Sequence, residues 1–302
     1  MRQFLRKQMD EPKLSESDEA AMKIYKYFDW RGVDVLRMLQ LKVTPPDQFN
    51  DPFEFTPAAI GGVGDSDLEW LTNEEALQEL YKERQAKGPV PDFKLWIKQK
   101  VNDPDFATSF TATMTENCHN LCKEVSQFLG LICFASERNN LLMWSHYANG
   151  HKGLAIGFNS DHRFFKEFAR IRRVNYLSRD ERFVWDSSLN PGDEGYDEMA
   201  ERFVLTKSHH WRYEGETRVL PQLAGLERRL ISDGIPGYFC AFPPDLIEEV
   251  IIGYRASSVT DDVIRRAMVL HGISENKLLR AQPHPSKFEL RFVQGDRTRI
   301  SL

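Results

Sequence analysis

Apolar and polar residues alternate through Met22-Lys23-Ile24-Tyr25-Lys26-Tyr27, the period of a half-buried strand. Val33, Val35, Leu36 and Leu39 then recur at helical spacing, and Leu41-Lys42-Val43 reads as a second short strand. Pro45-Pro46 ends regular structure, and the segment from Asp47 to Glu54 reads as an ordered turn. Gly61-Gly62-Val63-Gly64 opens a charged, helix-favouring stretch from Asp65 to about Gln127, broken at Gly88-Pro89 and near Asp103-Pro104. Strand character returns over 130–135. A helix is expected over 141–148, an Asn149-Gly150 turn after it, and a buried strand over 153–158. Further strands are expected at 174–176, 216–220, 249–253 and 288–292. Helices are expected over 199–208 and, capped by Thr260, through Leu270.

Strands interleave with helices, yet few segments have the unbroken apolar character of a parallel sheet. The pattern therefore predicts an α+β fold, with a curved, mainly antiparallel sheet core, flanking helices and a helical insertion. It divides the chain into an N-terminal arm, 1–21, and a single α+β domain, 22–302, with the insertion at about 65–127.

Composition narrows the class. At 302 residues the chain is long enough to bury a substantial core. Forty Lys and Arg against forty-five Asp and Glu leave a net charge of −5. That near-balance argues against a surface that is basic all over and leaves room for a local basic patch. Mean hydropathy is −0.50 and no apolar run is long enough to span a bilayer, so no membrane partner is expected. The first residues show no apolar leader segment, and four cysteines are too few for a disulfide framework. A reducing cytoplasm is the expected location.

Several common chemistries leave no trace. Gly-x-Gly-x-x-Gly after a strand, the Walker Gly-Lys-Ser/Thr, His-Glu-x-x-His and Gly-x-Ser-x-Gly are all missing. Cys118, His119 and Cys122 have no second ligand pair at zinc spacing, and no metal is expected.

Three clusters remain. In Phe49-Asn50-Asp51-Pro52-Phe53-Glu54, Asn50 and Asp51 either build an Asx-type corner or present polar atoms at a pocket rim. In the segment from Met143 to Gly153, Trp144 and Tyr147 share a helix face, which suits core packing, while His146 and His151 are candidates to hold a ligand. In the segment from Lys207 to Arg218, an extended strand would put Glu214 and Glu216 on one face, about 7 Å apart. Two like charges so placed need a shared cation, proton or polar substrate. Lys207, Arg212 or Arg218 would supply the cation, and Trp211 and Tyr213 flank the pair. The alternative is a salt-bridged, solvent-facing edge.

Together with Tyr25-Lys26-Tyr27, Cys133-Phe134-Ala135-Ser136 and His151-Lys152-Gly153, these clusters resemble, in order, the motifs of domain-of-unknown-function family 2971, a bacterial and phage-associated family. The family layout is in turn similar to that of ADP-ribosyltransferase-like toxins, whose late strand ends in a catalytic Glu, often as Glu-x-Glu. The early strand departs from that layout, since Tyr25-Lys26-Tyr27 holds neither His nor Arg.

The resemblance implies an enzyme that takes NAD as a substrate and cleaves its nicotinamide–ribose bond in a toxin or phage-defence setting. Glu216 would face the developing ribose cation, and Glu214 would orient an acceptor or act as base. Tyr27, Trp144 or Tyr147 would stack on nicotinamide, with His146 and Lys26 at ribose and phosphate. Tyr25, Asn50, Asp51, His151, Lys207, Trp211 and Arg218 complete the candidate ligand-binding set. The acceptor, whether nucleic acid, protein or small molecule, stays open. Two other classes compete: a magnesium-dependent nuclease using Asp51, Glu54, Glu214 and Glu216, and a non-catalytic sensor or partner-binding module. The nuclease reading lacks a Lys two residues after its carboxylate, where Arg218 stands instead.

Overall fold

The computed structural model describes residues 23–57, 75–101, 116, 119–179, 181–184, 193–231 and 234–294. In chain order its elements begin β1 (Lys23–Phe28), α1 (Gly32–Met38), β2 (Gln40–Val43), α2 (Glu75–Gln85) and α3 (Phe93–Val101). Then come β3 (Ile132–Ala135), α4 (Leu141–His146), β4 (Leu154–Asn159), α5 (Arg163–Phe168), β5 (Ile171–Arg173) and β6 (Asn175–Leu177). They continue with α6 (Tyr196–Leu205), β7 (Thr206–Ser208), β8 (Glu216–Val219), β9 (Glu227–Leu230) and β10 (Pro236–Ala241). The last are β11 (Ile247–Ile252), α7 (Ser258–Leu270), β12 (Leu278–Pro283) and β13 (Leu290–Gln294).

Tertiary contacts sort the chain into two compact units. Among the described residues one takes in Pro46–Gln127 and Asn175–His209, and the other 23–45, Phe128–Val174 and 210–294.

The first unit holds α2, α3, α6 and the parallel pair β6–β7, with α6 as its crossover. Aromatic side chains bind its parts together: Phe55 meets Phe49 and Phe203 edge-on at 5.1 and 6.2 Å. Tyr81, Phe93 and Trp96 join α2 to α3. Gly88, with φ at 143°, lies in the expected break between those helices. The arm 1–21, Gly61–Gly64, the Asp103–Pro104 break and Cys118 lie outside the described residues.

The second unit is built on an eight-stranded sheet of order β13-β12-β11-β4-β1-β3-β8-β5. Every pairing in it is antiparallel except β11–β12, which α7 bridges as a crossover. The expected α+β class and its mainly antiparallel sheet are borne out. Alternation along the central strands sends Ile24, Leu154, Ile156, Phe158, Val250 and Ile252 to one side. There α1, α5, α7 and the small β2-β10-β9 sheet close a core, and each fully buried aliphatic or Phe side chain contributes about 1.5–3 kcal/mol. Tyr25, Tyr27, Ala135, Ala155 and Ile251 point to the other side, onto α4.

Three elements differ from the sequence reading. Ser257, not Thr260, caps α7, its hydroxyl accepting from the Thr260 N–H at 3.2 Å. The expected helix over 199–208 stops at Leu205, and its last three residues form β7. The β9–β10 hairpin carries Glu227, Arg228 and Arg229, a polar edge with no apolar period to betray it.

Candidate functional site

The second side of the large sheet carries a row of directly paired residues: Glu249 on β11, Gly157 on β4, Tyr25 on β1, Ala135 on β3 and Glu216 on β8. Facing positions on neighbouring strands project to the same side. The small residues decide what fits above them. A Cβ on Gly157 would lie 2.8 Å from the Glu249 Cγ and 3.0 Å from the Tyr25 ring. Its absence lets the Tyr25 hydroxyl reach over β4 and donate to Glu249 Oε1 at 2.8 Å. Arg138 donates to the other oxygen at 2.9 Å, and the Lys23 ammonium stands 3.5 Å from it. Burial, then the bond to Glu249, pushes the Tyr25 phenol well above its ordinary pKa.

Residues 137–140, between β3 and α4, are held at every position. The Glu137 carbonyl accepts from the Tyr27 hydroxyl at 2.6 Å, and the Arg138 carbonyl from the Trp144 indole at 2.9 Å. The Asn139 side chain accepts from the Leu290 N–H at 2.8 Å. Asn140 caps α4 through the N–H groups of Leu142 and Met143, and its amide donates to the Tyr213 carbonyl.

Glu214 and Glu216 do not share a strand face. Glu214 ends a 3₁₀ turn, His209–Glu214, and Gly215 follows with φ at 52° before β8 starts. A Cβ on Gly215 would fall 2.3 Å from Ser136 Oγ, so both the conformation and the space require glycine. The pair therefore diverges into two environments. Glu214 is 5% exposed and its Oε1 accepts from the Tyr147 hydroxyl at 2.6 Å. Glu216 takes Arg218 Nε on Oε1 at 2.8 Å and a second guanidinium nitrogen on Oε2 at 3.3 Å. Both side chains of this ion pair are sealed, at 3% and 0% exposure. Such a pair is costly to break from one side only. Of the three cations the sequence offered, Arg218 serves Glu216. Lys207 lies in the other unit, 3.8 Å from a buried Glu54.

Lys26 stands apart from its neighbours Tyr25 and Tyr27. Its ammonium donates to the Cys133 carbonyl at 2.8 Å and lies 5.8 Å from the Phe134 ring, on the aliphatic side of the sheet. Burial pulls its pKa down, with Lys42 adding to the effect. Cys133 is a thiol rather than a thiolate, pushed well up by burial and by Glu216. Burial likewise lifts Cys122 to about 11 and Cys240 to about 12. All three thiols are free.

The second unit gathers Tyr25, Tyr27, Trp144, Tyr147 and Tyr213 into one cluster. Within it Tyr27 and Trp144 meet edge-on at 5.2 Å. Trp144, at 0% exposure, and Tyr27, at 6%, are packed against each other and do not present the stacking faces expected of them. The half-buried Tyr147, Tyr213 and Trp211 and the exposed His146 lie on the solvent side; Tyr213 is 6.2 Å from His146 and 6.1 Å from Trp211. His151 stacks on Trp144 at 6.1 Å and meets Tyr254 edge-on at 5.3 Å. It closes a run of three left-handed residues, with φ at 48°, 60° and 67° for Asn149, Gly150 and His151. Its buried Nδ1 has no partner, and burial followed by the Arg255 charge lowers its pKa.

Asn50 and Asp51 belong to the first unit. Asn50 is exposed, while buried Asp51 accepts from the Phe53 N–H at 2.9 Å, the Asx corner of the architectural reading. Asp51 Oδ2 is buried and unpartnered. Among the described residues no three His, Cys, Asp or Glu side chains are grouped to hold a metal ion.

Sequence reasoning missed Glu249, Arg138 and Asn140, while Tyr213 stands beside the acidic pair as expected. Glu249 did leave a signal: a carboxylate inside the apolar run Ile247-Glu248-Glu249-Val250-Ile251-Ile252.

The fold and this face define an α+β protein whose open mixed sheet carries buried carboxylates and tyrosines together on one side. Residues 143–219, from the Trp144 helix through Glu216, match the model of a family described as protein of unknown function (DUF2971), the family the motifs resemble. No curated protein and no solved structure matches the chain. No helix among the described residues is long and apolar enough to cross a membrane.

Proposed function

We propose that the chain cleaves NAD at the bond between nicotinamide and ribose and passes the ADP-ribosyl group to an acceptor or to water. The observation that carries this reading is the divided acidic pair: Glu216 ion-paired with Arg218 and, two residues before it in the chain, Glu214 bonded to the Tyr147 hydroxyl. Breaking the glycosidic bond sends its electron pair out with neutral nicotinamide and leaves positive charge on the ribose. A fixed carboxylate favours that state over the ground state, because no reorganisation is needed as the charge develops. Glu214 then takes the proton that the incoming hydroxyl loses as its oxygen bonds to the ribose carbon. Tyr147, Tyr213, Trp211 and His146 supply the accessible rings beside Glu214, with Tyr25, Tyr27 and Trp144 as their support. We place this chemistry in a reducing cytoplasm, which suits three free thiols, and in the toxin or phage-defence setting of the family resemblance.

Nicotinamide release from NAD, followed by chromatography, tests the proposal. The wild type is expected to release it and Glu214→Gln to lose about 10²–10³-fold in rate. A folded Glu214→Gln protein that turns over at the wild-type rate overturns the assignment, as does a wild type that is silent with water and with every acceptor class.

A further inference from the structure

The chain is acidic overall, at −5, yet one continuous stretch of the second unit is strongly basic. Residues 163–173, which form α5 and β5, hold Arg163, Lys166, Arg170, Arg172 and Arg173 against the single acid Glu167. On α5 the apolar side chains Phe164, Phe165 and Phe168 pack onto the aliphatic core, which turns Arg163 and Lys166 outward. Both are exposed, as is Arg173, and none of the three has an ion-pair partner among the described residues. The ridge then runs onto β5, the edge strand of the large sheet, where Arg172 lies in register with Arg218 on β8. Arg173, two residues after Ile171 and paired with Thr217, projects to the side of the sheet that α5 covers, opposite Glu216.

Edge strands commonly carry a charge or two to discourage strand addition. That purpose does not reach Arg163 and Lys166, which sit on a helix with no open ladder to protect. Nor does a bilayer explain the ridge, since the α5 phenylalanines are turned into the core and leave no apolar face to insert. A row of outward cations, mostly arginines whose planar forks match phosphate oxygens, suits a polyphosphate backbone.

We infer that the α5–β5 ridge binds a nucleic-acid strand through its phosphates. The inference is independent of the NAD reading, and its test of binding uses no NAD. The full chain is titrated with a fluorescein-labelled 20-nucleotide single-stranded DNA or RNA of mixed sequence at several salt concentrations, read by anisotropy. Binding is expected to weaken linearly in log salt. The triple variant Arg163→Gln, Lys166→Gln, Arg173→Gln should lose at least tenfold in affinity at about 50 mM salt, and its salt slope should fall by about 2, at roughly 0.7 per lost phosphate contact. Its melting temperature and any nicotinamide release without acceptor should match the wild type. Equal binding by the triple variant, no salt-dependent binding by the wild type, or capture only by vesicles of phosphatidylcholine and phosphatidylserine at 3:1 would each overturn the inference.

Discussion

The two sides of the eight-stranded sheet share every strand and little else. On one side Ile, Leu, Val and Phe close a core with three helices and a small sheet, the arrangement expected when burial alone sets the composition. On the other, alanines and a glycine hold the sheet surface low, and tyrosines, a tryptophan and two buried carboxylates stand above it. Burying Glu216 and Glu249 adds nothing to stability that aliphatic residues would not supply better. Their presence sets this side apart from one composed by packing alone.

Breaking either side at full strength should cost similar stability by different routes. Arg218→Met strands the buried Glu216 charge and is expected to cost about 3–5 kcal/mol in urea unfolding. Phe158→Ala on the aliphatic side should cost about as much by opening a cavity. The double variant Glu216→Gln, Arg218→Met separates the routes: much of the first loss should return, because no orphan charge remains. A double variant as unstable as Arg218→Met would show that Arg218 matters for its packing alone.

A gentler change sharpens the contrast. Gly157→Ala wedges a methyl between Glu249 and Tyr25, and should cost about 1–3 kcal/mol as overpacking. Ultraviolet titration reads the same event: the Tyr25 phenol, held up by burial and Glu249, should ionise at lower pH once the two are forced apart. An unchanged titration would place the strain elsewhere.

The smallest effect concerns His151. Its folded pKa lies below the ordinary 6.5, so the unfolded chain binds the proton more readily. The stability it contributes is present above pH 6.5 and is lost as pH falls through the folded value. His151→Gln should flatten the pH dependence of the unfolding free energy over that acid window and leave the slope near pH 8 as it is. A slope that survives the substitution assigns it to another group.

The central strands were legible because β4 and β11, covered on both sides, read as apolar runs. So was the proximity of Trp144, Tyr147 and the Glu214–Glu216 segment, within the span of the family match. What failed was orientation. One left-handed glycine, Gly215, turned an assumed strand pair into two separate carboxylate environments. Strand parity moved Lys26 away from Tyr25 and Tyr27, a consequence legible in principle from period-two alternation. Glu249 was hidden because its partners, Tyr25 and Arg138, are 224 and 111 residues away in the chain.

The raised thiols give each unit a chemical clock. Buried Cys122 belongs to one unit and buried Cys240 to the other, and neither is an appreciable thiolate at neutral pH. An alkylating reagent reaches these two only as their surroundings open, so the order in which they are capped dates the opening of each half of the molecule separately.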